Sequence, residues 1–417
     1  MKFETLEGVF TITCDALMTL ALAAILLVIG YLIRNKVRFL SKYCIPAPVV
    51  GGYLFMFITW LGHGTGAFAF KFDTYFQNPF MLAFFTTVGL GASLSLLKKG
   101  GMLLVIYWLI ACVVSIFQNA IGIGVGKLLN LQAPYALLAS AISMIGGHGA
   151  ALAYGTTFEE MGYTAAKLAG AAAATFGLIS SVMIGGPLAR RLVEKNNLKP
   201  SAEDNFSTEV ENINVSSGEK LSGLDIIKNV TAIIFCMALG TLVSGWISQL
   251  IGMGFPTYVG AMFVAVILRN VNEKVKLYRF DFTLVDKIGD VMLNLYLAIA
   301  LMTLKLWELA DLAGPMLVVL LCQALFLSVV TYFLVFRILG KNYDAAVMSS
   351  GLIGHGLGAT PTAIVNMTAI TERYGMSRRA FMIVPIVGAF LVDIIYQPAT
   401  IWFIKTFVET VPAAPVP

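Results

Sequence analysis

The sequence predicts an all-α polytopic membrane protein made of two inverted-topology repeats, each with five transmembrane helices and one re-entrant hairpin. Three observations lead there. Hydrophobic residues make up 58% of the 417 and charged residues only 12%, about half the charge expected of a soluble domain. Apolar runs long enough to cross a bilayer recur along the chain. A glycine-rich motif built around one histidine occurs twice, about two hundred residues apart.

A membrane-crossing helix takes about 20 apolar residues to traverse a hydrocarbon layer about 30 Å thick. The apolar segments are 11–33, 46–64, 79–97, 102–126, 134–156 and 168–189, then 223–251, 256–269, 288–306, 313–336, 343–370 and 380–406. Runs of this length lack the alternation of barrel strands, and helices are the remaining way to satisfy backbone groups in lipid. The opening "MKFETLEGVF" has no basic region or small-residue cleavage site, so no cleaved signal peptide is expected. Residues 194–222, rich in Asn, Ser and acids, hold too few apolar groups to pack and read as a flexible linker. The expected organisation is an N-terminal repeat (1–193), a linker (194–222) and a C-terminal repeat (223–417).

The halves repeat at a nearly constant offset. Pro48 and Pro256 are 208 positions apart, and His148 and His355 are 207 apart. The fifth apolar segment of each half is dense in Gly, Ala, Ser and Thr and carries "IGGHG" or "LIGHG". Irregular backbone at membrane depth is tolerated only where it is buried in protein or lines a cavity. Residues of about 134–156 and 343–370 are therefore read as hairpins that enter the membrane and return. Five true spans per half is an odd number, so the second repeat sits upside down relative to the first. With the N-terminus outside, only Lys2, Lys71, Lys127, Lys167, Lys305 and Lys405 fall on the outer side, leaving 22 of the 28 basic residues inside, as the positive-inside rule favours. Both termini then lie outside and the linker lies in the cytoplasm.

Opposed hairpins would bring their tips together near the midplane. Glycines there let backbone approach a ligand, and helix N-termini favour an anion; close helix packing is the competing use of such glycines. His148 and His355 are expected to hydrogen-bond at the tips, to substrate or to structure. Asp393 stands mid-span, where a carboxylate is costly and usually functional. With the neutral oxygens of Gln118, Asn119, Thr175 and Asn366, it forms a candidate set for a hard cation such as sodium. No arginine lies mid-span, so an anion would be held by amides or by a cation at a span end, such as Lys167, Lys305, Arg378 or Arg379. The three histidines show no HExxH spacing, and no metal centre or cofactor is expected. The cysteines (Cys14, Cys44, Cys112, Cys236 and Cys322) stand singly and read as buried small hydrophobes. No nucleophile constellation marks an enzyme, and no basic tract marks a nucleic-acid binder.

The motifs, taken together, resemble those of the bacterial sodium/glutamate symporters. "IPAPVVGGYL", "PFMLAFFTTVGLGASL", "QNAIGIG", "GGHGA", "ATFGL" with "IGGP", "LKLWELA", "GKNYDAAV", "GLGATPTAIVNMTAITERYG" and "VPIVGAFLVD" follow in that family's order over nearly the whole chain. The resemblance implies sodium-coupled uptake of L-glutamate across the bacterial inner membrane, in a homodimer with periplasmic termini. It also implies elevator motion, in which the hairpins and their neighbours move against the early spans of each half. The substrate positions it implies are Ser143, Gly146, Gly147, His148 and Gly149 in the first half. In the second they are Gly354, Gly356, Gly358, Thr360, Pro361 and Thr362, with His355 among them. Ala150 stands where the family pattern has Thr, and His355 where it often has an aromatic. Another small dicarboxylate or hydroxycarboxylate is the alternative substrate.

Overall fold

In the computed structural model the described residues are 2–6, 9–42, 45–93, 101–200, 223–251, 255–305 and 310–408. Cys44, Lys98, Lys99, Lys220 and residues 201–222 of the expected linker lie outside them.

The chain opens with two strands, β1 (Lys2–Leu6) and β2 (Val9–Cys14), followed by helices α1 (Ala16–Lys36), α2 (Arg38–Lys42) and α3 (Ala47–Thr65). Strand β3 (Phe68–Phe72) leads to α4 (Gln77–Gly91) and α5 (Gly101–Leu128). Strand β2 pairs antiparallel with β1 and parallel with β3. The chain is therefore not wholly helical, and the first expected span begins at Ala16 instead of residue 11. Asp15 sets that boundary by accepting the Met18 amide at 2.9 Å, while the β-branched and aromatic "VFTITC" suits a strand.

Helix α6 (Ala133–Leu137) runs into a π-type turn at Leu138–Ile142, in which Ser140 is extended (φ −122°, ψ −142°). Helices α7 (Gly147–Glu160) and α8 (Ala166–Lys195) close the first half. The second half contains α9 (Gly223–Ile251), α10 (Thr257–Val275), α11 (Phe282–Met302) and α12 (Ala310–Val330), which continues to Ile338. It ends with α13 (Tyr343–Leu357), α14 (Thr360–Tyr374), α15 (Arg378–Ile386), a π-type turn at Val387–Leu391 and α16 (Asp393–Phe407).

Among the described residues, six helical stretches are long and apolar enough to cross a membrane: 16–36, 101–128, 166–195, 223–250, 312–338 and 378–407. Their outward faces carry exposed Leu17, Ile25 and Val28 on α1 and Ile227, Leu242 and Trp246 on α9, as lipid contact requires. Of the other expected spans, α4 has only 15 residues, and α11 carries Asp286, Lys287 and Asp290 in its first half.

Packing sorts the helices into two bodies that each draw on both halves of the chain. In the first, α3 packs on α1 and α11, and α4 packs on α10 and α11, with α9 against α10. In the second, α8 is central and holds α7, α12, α13 and α14, while α5 carries α6, α12 and α16. The main contacts between the bodies are made by α11 against α7 and α8, and by α4 against the turn at 387–391. Three glycines let backbones close on α8. A Cβ at Gly170 would lie 2.8 Å from the Ala151 carbonyl oxygen, one at Gly177 2.0 Å from that of Leu357, and one at Gly185 3.2 Å from that of Ser350 and 2.1 Å from the Asn366 side-chain nitrogen.

Candidate functional site

Two interrupted helix pairs build the site. In the first, α6 and its turn end at Ile142, and regular helix is interrupted by a turn at residues 145–146 before Gly147 starts α7 in the left-handed region (φ +58°). Only glycine occupies that region without strain. In the second, α13 ends at Leu357, and Gly358 and extended Ala359 lead into α14 at Thr360 and Pro361. Proline suits the first helical turn because the amide it lacks would have no intrahelical partner there. Thr362 holds this bend: its hydroxyl lies 2.8 Å from the carbonyls of both Gly354 and Ala359 and accepts the Ala359 amide at 3.0 Å. The two bends meet, since a Cβ on Gly147 would lie 3.5 Å from the Gly358 carbonyl oxygen.

A cavity of about 260 Å³ opens beside this meeting point. Residues 145–150, Ala359, Thr360, Pro361, Gly388, Ala389 and Asp393 line it from the second body, together with Leu178. The first body contributes Pro46, Phe84, Phe85, Val88, Leu293 and Leu297. Every polar side chain of the lining therefore belongs to one body, and the other presents an apolar wall. The first turns of α7 and α14 both lie at the cavity, where helix geometry leaves backbone amides without intrahelical acceptors and the dipole favours negative charge. Asp393 is the one carboxylate of the lining. Gln397 Nε2 reaches its Oδ1 at 3.4 Å and is itself oriented by the Tyr154 hydroxyl, 2.7 Å from Gln397 Oε1.

The structure divides the residues expected from the sequence. Gly146, Gly147, His148, Gly149, Thr360, Pro361 and Asp393 line the cavity. Ser143, Gly354, His355, Gly356, Gly358 and Thr362 are not part of its lining and lie in the bends or in the helix turns beside them. Ser143 donates to the Gly170 carbonyl at 3.2 Å, and a Cβ on Gly354 would strike Ala363 Cα at 2.2 Å, so the packing use of glycine holds there. Thr175 and Asn366 are engaged within the protein. Thr175 Oγ1 donates to Ala171 O at 2.9 Å, so the hydrogen it shares with His148 Nε2 (2.9 Å) comes from the histidine, and Tyr53 OH adjoins it at 3.1 Å. Asn366 Nδ2 donates to the carbonyls of Ser181 at 3.0 Å and Ser350 at 3.3 Å. Gln118 and Asn119 form a separate buried group with their own partners.

The two histidines do not occupy matching places. His148 is the second residue of α7, after its bend, whereas His355 lies near the end of α13, before its bend, with Nε2 2.9 Å from Tyr107 OH. The prolines paired by the sequence offset also differ in place: Pro256 precedes α10, as Pro46 precedes α3, whereas Pro48 lies inside α3. None of the span-end cations lines the cavity. Lys167 pairs with Glu159 at 2.9 Å beside another opening, which Lys305 also lines.

A family model described as sodium/glutamate symporter matches residues 12–376. The chain belongs to the sodium/glutamate symporter family. Its relatives include the sodium/glutamate symporter of Escherichia coli (strain K12), 42% identical over 384 residues that cover 91% of this chain and 95% of that one. The sodium/glutamate symporter of Haemophilus influenzae (strain ATCC 51907 / DSM 11121 / KW20 / Rd) is 38% identical over 380 residues, 90% and 94% of the two chains. A solved sodium proton antiporter from Methanocaldococcus jannaschii aligns with 94% of this symporter and 99% of its own chain at 15% identity, with a TM-score of 0.43, too loose a likeness to inform the fold. As a family member the chain is a membrane transporter and not an enzyme. Sequence reasoning missed the apolar half of the site, because a phenylalanine that faces a cavity and one that faces lipid look alike in a hydrophobic run.

Proposed function

We propose that this symporter imports L-glutamate with sodium by an elevator-type movement of its second body against its first. The observation that carries this reading is the division of the cavity. A solute held by one body and walled by apolar side chains of the other can be carried along that wall without breaking polar contacts, whereas a solute gripped from both sides could not.

In this reading the two carboxylates of the substrate meet the free amides of the first turns of α7 and α14, and Asp393 receives the ammonium group. His148 keeps the α7 end in place through Thr175 and Tyr53. The bends at 145–146 and 358–359 are the tips of two re-entrant hairpins, one in each of two inverted repeats of five spans. Helices α3 and α10, each preceded by proline, would correspond between the repeats. The protein would sit in the bacterial inner membrane as a homodimer, with both termini periplasmic and the linker cytoplasmic. Sodium is the coupling ion: it stabilises the tip geometry that receives the substrate, and by reciprocity the substrate raises sodium affinity by the same factor.

The test is uptake of labelled L-glutamate into proteoliposomes of the purified protein, with an inward sodium gradient or with potassium in its place. Sodium-dependent accumulation above equilibrium is the expected result. Equal uptake in the two salts would refute sodium coupling, and accumulation of another dicarboxylate in place of glutamate would refute the substrate.

A further inference from the structure

Outside the cavity lining, Gln118 on α5 and Gln323 on α12 are fully buried amide side chains joined by a hydrogen bond from Gln323 to the Gln118 backbone, and Asn119, next to Gln118 on α5, is fully buried as well. Each has its nitrogen engaged. Gln118 Nε2 donates to the Gly356 carbonyl at 2.7 Å, and Asn119 Nδ2 donates to Thr400 Oγ1 at 3.1 Å. Gln323 Nε2 donates to the Gln118 carbonyl at 2.8 Å and to Ser140 Oγ at 3.1 Å. The oxygen end of all three is buried without a hydrogen-bond donor. Rotating the amides does not cure this for the two glutamines, because it would set oxygen against the carbonyl oxygens of Gly356 and Gln118.

A buried acceptor left without a donor is costly, so three on two packed helices call for a partner. Hard neutral oxygens suit a small alkali cation. Among the described residues no group of three His, Cys, Asp or Glu side chains stands ready for a transition metal. The backbone adds to the fit. Ser140 is the residue that leaves helical geometry in the turn after α6, and α5 approaches it so closely that a Cβ on Gly122 would lie 1.7 Å from Ser140 Oγ. Unwound backbone beside polar side chains is the form that ion sites take inside a membrane.

We propose that Gln118, Asn119 and Gln323 hold the coupling sodium ion, in a seat separate from the substrate cavity. This rests on the reading of the protein as a sodium-coupled carrier and assigns the ion its ligands. The position explains coupling. Gln118 grips Gly356 beside one bend, and Gln323 grips Ser140 in the helix leading to the other, so an ion that orders these amides orders both walls that receive the substrate. A neutral ligand set also leaves the ion's charge uncompensated, which favours an anionic solute nearby.

The test uses the full-length protein in detergent, with thermal unfolding followed as NaCl replaces KCl at constant ionic strength and without glutamate. The wild type should be stabilised by sodium in a saturable way. Gln323→Leu should raise the sodium concentration for half-maximal stabilisation at least tenfold. Gln323→Glu, which keeps the oxygen and adds charge, should lower it at least threefold at pH 8. Half-saturation within twofold of wild type in either variant would overturn the assignment and leave the amides to buried water. A wild type with neither sodium stabilisation nor sodium-dependent uptake would instead remove the carrier reading on which the assignment stands.

Discussion

Replacing Asp393 by Asn tests the proposal that Asp393 receives the substrate's ammonium group. The substitution keeps the shape and removes the single negative charge of the lining. The carboxylate has one modest hydrogen-bond partner, Gln397 at 3.4 Å, so the cost to folding should be small. The loss falls on the ligand: a hydrogen bond between charged groups contributes about 1.5–3 kcal/mol, which at 1.4 kcal/mol per decade corresponds to about 10- to 150-fold weaker half-saturation by L-glutamate. Uptake into proteoliposomes, with competition by unlabelled glutarate, separates the terms, because glutarate has both carboxylates and no ammonium group. The variant should lose its preference for glutamate over glutarate by about tenfold or more. If both ligands weaken by the same factor, Asp393 does not meet the ammonium group, and its role lies with the cation or with folding.

Three further substitutions probe the frame around the cavity. Tyr296→Phe removes a hydrogen bond between the bodies, from Tyr296 OH to the Gly149 carbonyl at 3.3 Å. At about 0.5–1.5 kcal/mol its loss should reduce the population of this arrangement by about 2- to 12-fold. Distance distributions between spin labels at exposed Leu242 and Trp402 would record the change, and an unaltered distribution would show that the bond holds nothing. Gly147→Ala forces a side chain into left-handed backbone and should cost about 1–2 kcal/mol in thermal unfolding, whereas Gly64→Ala, with open space around it, should cost far less; equal losses would contradict the strain. Gly177→Ala would place a Cβ 2.0 Å from the Leu357 carbonyl oxygen, prising α8 from the end of α13 at a cost of about 1–3 kcal/mol. Gly186→Ala on the same helix meets nothing within 4 Å and should be neutral or slightly stabilising, and destabilisation of similar size in both would refute the packing account.

The sequence displays the parts of this molecule whose chemistry is out of place in a bilayer. Asp393 is conspicuous as a carboxylate in an apolar run, and it lines the cavity. The glycines around His148 are conspicuous as helix breakers, and they form one of the bends. The spacing of the two histidines carries less than it suggests, because His148 follows its bend and His355 precedes its own. A constant offset in sequence does not establish an equivalent place in three dimensions when the loops between have different lengths. Gln323 leaves a signal, a lone amide in the run "VVLLCQALFL", but one neutral residue does not stand out until Ser140 and Gln118 are found beside it. Phe84, Phe85 and Leu293 leave none, since their importance comes from the body to which they belong. The strand at Val9–Cys14 is hidden for a similar reason: six residues, four of them apolar, suit a strand as well as the start of a helix, and Asp15 decides between them.

The one-sided distribution of polar groups around the cavity also bears on redesign. The apolar wall of Pro46, Phe84, Phe85, Val88, Leu293 and Leu297 has no side chain that could distinguish solutes by a directional bond. New selectivity can therefore be sought within three short stretches, 145–150, 359–361 and 388–393, with Ala150 the natural first site because it lines the cavity without a polar atom of its side chain. On the proposed elevator reading, the wall along which the cargo would travel can remain as it is, and a library confined to those stretches would alter the freight and leave the moving parts untouched.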